Sequence, residues 1–143
     1  MPILVEDLIL SHNFEVEIIP GENTPSEVEP RLLEVSYISP ITSGIQDPVE
    51  ESNSLLPIDI KRAVQNDKFL FDWVLNWHNG ISDVRTVRIY LLKSNTSQEF
   101  ERVWVWKLVD CQPVAWQGPE LDALQSSVAY EQITLKYSDL VWE

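Results

Sequence analysis

The residues best suited to chemistry in this 143-residue chain are two histidines, His12 and His78, and a scatter of carboxylates. A metal site or a general acid/base pair needs a histidine brought against carboxylates or a second histidine, and the spacing brings neither histidine to such a partner. Glu50 with Glu51, or Asp59 with Glu131, offers the paired carboxylates that glycoside hydrolysis uses, but a chain with 23 Asp/Glu supplies such pairs by number alone. The sequence holds no GxSxG, no GxGxxG, no phosphate-binding loop and no HExxH, so nucleophile, dinucleotide, nucleotide and zinc-protease chemistry lack a motif. Cys111 is the only cysteine, which rules out an intramolecular disulfide and a cysteine-rich zinc site. The expectation is no enzyme, no cofactor and no metal.

The elements around these residues must then serve another purpose. At 143 residues the chain reads as a single domain able to bury a sizeable core, and its 44% hydrophobic content, with six tryptophans, excludes a disordered chain. The net charge of −13 is unevenly spread: about half of the acidic residues lie in the first sixty positions, where Arg31 is the sole cation. Such a field repels phosphate backbones and argues against nucleic-acid recognition. Glu6 and Asp7 stand where a signal peptide would carry a basic leader, and no stretch reaches membrane-spanning length. The expectation is production in the cytoplasm without membrane insertion.

Residues 11–19 alternate Phe14, Val16 and Ile18 against Asn13, Glu15 and Glu17, the pattern of a half-buried antiparallel strand. After a polar loop, residues 31–38 predict a hairpin partner with Leu33, Val35 and Tyr37 inward. Residues 39–54 form a long acidic loop containing Ile41, Gly44, Asp47, Glu50 and Glu51, suited to an arm that becomes ordered against a neighbouring subunit. A third strand at 55–64 alternates Leu56, Ile58 and Ile60 with Pro57, Asp59 and Lys61. Asp67 occupies an N-cap position, Leu70, Trp73, Val74 and Trp77 make one helical stripe, and Asn79-Gly80 supplies the exit. That stripe must cover a sheet face or a barrel end. Residues 84–93 and 100–109 predict a hairpin, and 127–137 a last strand with Ala129, Ile133, Leu135 and Tyr137 on one side.

Everything else is organised around residues 103–129. Val103, Val105 and Val109 alternate with Trp104, Trp106 and Leu108, so the strand is apolar on both faces and should lie between two layers. It should break at Asp110-Cys111-Gln112-Pro113 and turn at Gly118-Pro119. Trp73, Trp77, Trp104 and Trp106 are accounted for by burial, which leaves Trp116 and Trp142 as candidates for a monomeric sugar- or peptide-binding β-sandwich.

Three stretches resemble the tail-tube proteins of contractile phages and phage-tail-like contractile injection systems: IDIKRAVQNDKFLFDWV at 58–74, CQPVAWQGPELDA at 111–123, and the closing strand with Glu131 and Leu135. The central stretch is the specific one, carrying Trp116, Gly118, Pro119, Leu121 and Ala123 in order. Ala63 stands where the family usually has Gly, and Cys111 where it has no fixed residue. The resemblance implies a mainly β fold, an antiparallel β-barrel or sandwich with one flanking α-helix. It also implies six copies closing into rings that stack into a hollow inner tube. The implied partners are other copies of the chain, a sheath protein, a baseplate or spike hub, tube-capping proteins, and cargo in the lumen; an adaptor ring between hub and tube is the alternative role. On that reading residues 39–54 form the inter-ring arm. Ile58, Ile60, Lys61, Arg62, Glu131, Ile133 and Leu135 lie on ring-interface or lumen strands, and Asp67, Lys68 and Asp72 lie on a sheath-side helix. The acidic front half would give the lumen a negative wall.

Overall fold

Eighteen consecutive residues, Phe100–Gln117, form one strand from which the rest of the fold hangs. The computed structural model describes residues 13–26, 28–42, 55–94 and 99–143. Its elements in chain order are β1 (Phe14–Pro20), β2 (Arg31–Leu33), β3 (Tyr37–Ile38), β4 (Ile58–Ala63), α1 (Phe69–His78), β5 (Arg85–Ser94), β6 (Phe100–Gln117), β7 (Tyr130–Lys136) and β8 (Asp139–Trp142). The strands follow the order β2-β1-β5-β6-β7-β4-β3, with β8 also on β6, and every pairing is antiparallel.

The first half of β6 pairs with β5 and β8, its second half with β7. It therefore belongs to two sheets, and the ribbon turns where Asp110 adopts φ 54°. The expected break at 110–113 is thus a corner within a continuous strand, because a single residue in the left-handed region redirects the chain without ending its ladder. The two sheets pack face to face. The ribbon's free edges, β2 and β3, are joined by residues 34–36 but share no ladder, so the structure is a sandwich and not a closed barrel.

Period-two alternation fixes what lies inside. Val16, Ile18, Val87, Ile89 and Leu108 from the first sheet meet Ile58, Ile60, Ile133 and Leu135 from the second, together with Leu70 and Trp73 of the helix. Each such side chain contributes roughly 1.5–3 kcal/mol on burial. The helix has the predicted stripe, and Gly80 at φ 76° ends it, a conformation that glycine adopts without penalty.

Three expectations are corrected. The strand predicted at 31–38 divides: Arg31–Leu33 pairs with β1, whereas Tyr37–Ile38 crosses to β4, and Tyr37 is exposed rather than inward. The first half of β6 is not covered on both faces: Trp106 and Leu108 pack inward and Trp104 is exposed, while Val103 and Val105 lie beside Tyr90 and Lys107 on an outer face that no described layer covers. Nor does the chain end its ladder at 137, since Asp139–Trp142 returns along β6 as β8.

Candidate functional site

Among the described residues the interior holds two ionic clusters, and both are ties between elements. In the first, Arg62 is fully buried on the inner face of β4. Its Nη2 donates to Asp67 Oδ1 at 2.6 Å, and its Nε lies 3.4 Å from Glu131 Oε2 without hydrogen-bond alignment. Asp67 also accepts from Arg31 Nη2 at 2.6 Å and from the Phe69 backbone N–H at 3.1 Å, so the residue predicted as helix cap holds the helix start to β2 and β4 together. Glu131 accepts in addition from Trp116 Nε1 at 3.2 Å.

Chiefly the hydrogen bond from Arg62, then that from Arg31, holds the Asp67 carboxyl well below the usual aspartate range. Because the folded-state value lies below the unfolded one, the stabilisation is complete above the ordinary aspartate pKa and is lost as pH falls through and below it. In urea titrations the gap between wild type and Asp67→Asn should be widest near neutrality and close below about pH 4. A gap that stays constant from pH 7 to pH 3 would mean that Asp67 acts by shape and not by charge.

In the second cluster Asp83, buried between α1 and β5, accepts from Arg85 Nε and Nη2 and from Asn76 Nδ2, each at 2.8 Å. Its backbone carbonyl accepts from Trp73 Nε1 at 2.7 Å and Trp77 Nε1 at 2.8 Å. Arg85 lies over the rings of Trp73 and Phe69. Sequence reasoning missed this pair, although Asp83 and Arg85 share a face at the two-residue spacing of a strand.

The carboxylates considered for catalysis are not brought together. Asp59 faces outward beside Thr134, and Glu131 faces inward on Arg62, so the two lie on opposite faces of the second sheet. His12, and the pair Glu50 and Glu51, fall outside the described residues, as do Gly44 and Asp47 of the predicted arm; Ile41 is described and half-buried. No group of three His, Cys, Asp or Glu able to hold a metal occurs among the described residues. Burial pushes the Cys111 thiol up to about 12, which leaves it an unreactive core residue. Among the described residues no helix is long and apolar enough to cross a membrane.

Of the residues predicted on ring or lumen strands, Ile58, Ile60, Arg62, Glu131, Ile133 and Leu135 are all core residues, and only Lys61 faces outward, over the Tyr130 ring. The correction follows from strand parity: the outer face of the second sheet is made by the alternate residues Asp59, Lys61, Gln132, Thr134 and Lys136. On the helix, Asp67 is spent internally, and Lys68 and Asp72 are exposed.

The corner motif divides in the same way. Trp116 packs against Phe71 of the helix with ring centroids 4.8 Å apart. A Cβ on Gly118 would meet the Trp116 ring at 2.9 Å, so the glycine is what lets the indole fold back under the turn. Beyond it the loop 118–129 leaves Leu121 85% and Leu124 96% exposed. At the far end of β6, Trp142 stacks on Trp104 with centroids 5.3 Å apart, and the two are 68% and 40% exposed. Beside them opens a recess of about 730 Å³ between residues 35–41 and the first sheet, lined by Phe14, Ile38, Ile41, Leu91, Trp106 and Leu140 among others. The exposed surface is thus rich in apolar groups for which the chain supplies no described cover.

Solved structures similar in fold include chains of contractile injection particles and an Hcp protein. A chain in the anti-feeding prophage baseplate matches at 22% identity and TM-score 0.64, covering 94% of each chain. A chain in the sheath-tube complex of the extracellular contractile injection system PVC, in its extended state, matches at 18% identity and TM-score 0.68, covering 97% of this chain and 93% of that one. The crystal structure of an Hcp protein matches at 14% identity and TM-score 0.59, covering 91% of each. No curated protein sequence matches the chain. The family model of the T4-like virus tail tube protein gp19 matches residues 10–141, nearly the whole length. The chain belongs to that tail tube family and is a structural tube protein of the kind that contractile injection systems carry.

Proposed function

We propose that this chain is the repeating subunit of the inner tube of a contractile tail or injection particle, forming six-membered rings that stack around a lumen through which cargo passes. The reading rests above all on the outer face of the second sheet. Three strands, β4, β6 and β7, present Asp59, Lys61, Gln112, Gln117, Gln132, Thr134 and Lys136 there, a wall of mixed polar residues suited to a water-filled passage. With one Asp against two Lys, that wall is near neutral, so the acidity of the front half is spent elsewhere than on these strands.

The remaining assignments follow from this orientation. The exposed face of α1, with Lys68 and Asp72, lies outside the ring, towards a sheath protein. Of the arm at 39–54, Ser39 and Thr42 bond to Asp59 and Leu56 and Ile41 packs against the core, so it is residues 43–54 that reach the adjacent ring, and hub and cap proteins close the two ends of the stack. Assembly takes place in the cytoplasm of the producing bacterium. The appearance of this fold in a baseplate gives a second reading, the adaptor ring between hub and tube, for which the particle would hold one or a few rings in place of many.

Purified protein at high concentration should give six-fold rings or tubes in negative stain, and a count of copies per native particle separates tube from adaptor. A scattering mass that stays at one chain up to the highest concentration would favour the monomeric binding module, with the exposed Trp142 as its candidate contact, since Trp116 is spent on packing against Phe71.

A further inference from the structure

We infer that Asn79-Gly80, at the exit of α1, is a site of spontaneous deamidation whose rate is set by how often the last turn of the helix opens. Of the asparagines in the chain, Asn79 alone precedes a glycine. That neighbour decides reactivity, because the attacking atom is the main-chain nitrogen of the next residue and glycine shields it with no side chain. The reaction balances with water as its only co-reactant. The Gly80 nitrogen gives its proton to solvent and bonds to Asn79 Cγ, the Cγ–Nδ2 bond breaks, and Nδ2 leaves as ammonia. Water then opens the cyclic imide at either carbonyl, which leaves aspartate or isoaspartate at position 79.

The structure supplies both access and restraint. Residues 78–82 are exposed without a break, and a Cβ on Gly80 would meet nothing within 4 Å, so water has a free approach to the reacting atoms. Asn79 itself sits at φ −89° and ψ 9°, where the Gly80 nitrogen eclipses the Asn79 nitrogen and stands away from Cβ. Ring closure needs a large rotation about that ψ. The rotation pulls apart two backbone bonds, from the Gly80 N–H to the Trp77 carbonyl at 3.1 Å and from the Ile81 N–H to the Asn76 carbonyl at 2.7 Å. The same turn is held from the side by Asp83, whose carboxylate accepts from Asn76 Nδ2 and whose carbonyl accepts from Trp77 Nε1. Reaction therefore proceeds from the minority of molecules in which this turn is open, and its rate follows the opening equilibrium.

The product acts back on the helix. A new carboxylate at position 79 lies at the helix C-terminus, where the last carbonyls already carry partial negative charge, and it joins Glu29 and Asp72 around the recess between residues 28–31 and α1. Isoaspartate also adds a methylene to the main chain and shifts the Gly80 N–H away from Trp77. Each event thus loosens the end of α1 further. On the assembly proposed above that helix faces the sheath, and this consequence alone rests on that reading.

Full-length protein is aged in mildly alkaline buffer beside the free peptide 69–85, and both are mapped by mass spectrometry and by enzymatic methylation of isoaspartate. The expected result is replacement of NH2 by OH at Asn79 alone, more than about tenfold slower in the folded chain than in the peptide. Asp83→Ala should raise the rate in the folded chain by about tenfold or more, and Asn79→Gln should abolish the signal. If Asp83→Ala does not fold, wild type in urea below its unfolding midpoint takes its place, and the rate should climb there while β-sheet circular dichroism stays constant. Equal rates in peptide and folded chain, or a rate that neither Asp83→Ala nor urea moves, would overturn the gate. A folded chain in which Asn79 stays intact under all these conditions while the peptide reacts, or modification that appears first at Asn66 or Asn76, would overturn the site. None of these results depends on ring formation, so the tube reading stands or falls apart from them.

Discussion

Arg62→Ala should cost about 3–5 kcal/mol, because it leaves Glu131 charged, buried and facing an emptied space. Against a total stability of about 5–15 kcal/mol for a domain, that is enough to unfold a sizeable part of the population at 37 °C. The guanidinium is fully buried and ties β4 to Asp67 at the helix start and to Glu131 on β7, so three elements lose a shared anchor at once. Arg62→Met with Glu131→Leu removes the buried pair and fills the volume, and it should recover part of the loss: the Trp116 N–H is left without its acceptor at about 1–3 kcal/mol, and Asp67 loses its Arg62 bond while keeping Arg31 and the Phe69 N–H. Urea midpoints of the three proteins measure this directly. If Arg62→Ala unfolds within about 1 kcal/mol of wild type, the ion pair carries no net energy and the β4–β7 seam is held by its apolar neighbours alone.

How far the sequence announces this fold depends on whether its signals are periodic or positional. The alternation of Phe14, Val16 and Ile18, the stripe Leu70, Trp73, Val74 and Trp77, and the run Glu131, Ile133, Leu135 all have periods that only one local structure satisfies, and the structure has those faces inward. Strand parity was legible too, but its consequence was assigned to the wrong face: the apolar residues of β4 and β7 serve the core, and their polar alternates face out.

What the sequence hides is where a continuous strand changes partners. Residues 110–113 read as a break because proline and aspartate weaken a strand, yet one residue at positive φ turns the ribbon while the ladder continues on β7. The division of residues 31–38 between two sheets is invisible for the same reason, since only the long-range pairing of Tyr37 with Lys61 decides it. The corner motif could be found by its residue order. That Trp116 and Gly118 serve packing, while Leu121 stands exposed, emerges only when the ring and the missing Cβ are placed in space.

Asp83→Ala should release the helix before it unfolds the sandwich. The carboxylate satisfies two N–H groups of Arg85 and one of Asn76 in a site closed to water, so its loss strands a buried guanidinium at about 3–5 kcal/mol. The Asp83 backbone carbonyl still accepts from Trp73 and Trp77, and the rings of Trp73 and Phe69 still face the Arg85 cation. Those contacts hold the helix only while Arg85 keeps its place, and with no counter-charge it gains by moving into solvent, taking the seat of Trp73 with it. Tryptophan fluorescence should therefore shift to the red at a lower urea concentration than the loss of β-sheet circular dichroism, where the wild type shows one coincident transition. Asp83→Asn, which retains an acceptor but not the charge, should fall between the two, at about 1.5–3 kcal/mol. Coincident transitions in Asp83→Ala at the wild-type midpoint would show that burial of Leu70 and Trp73 alone fixes α1. Early release, by contrast, would give a subunit whose sandwich is intact while its proposed sheath-facing helix is detached, which separates ring formation from sheath engagement in a single variant.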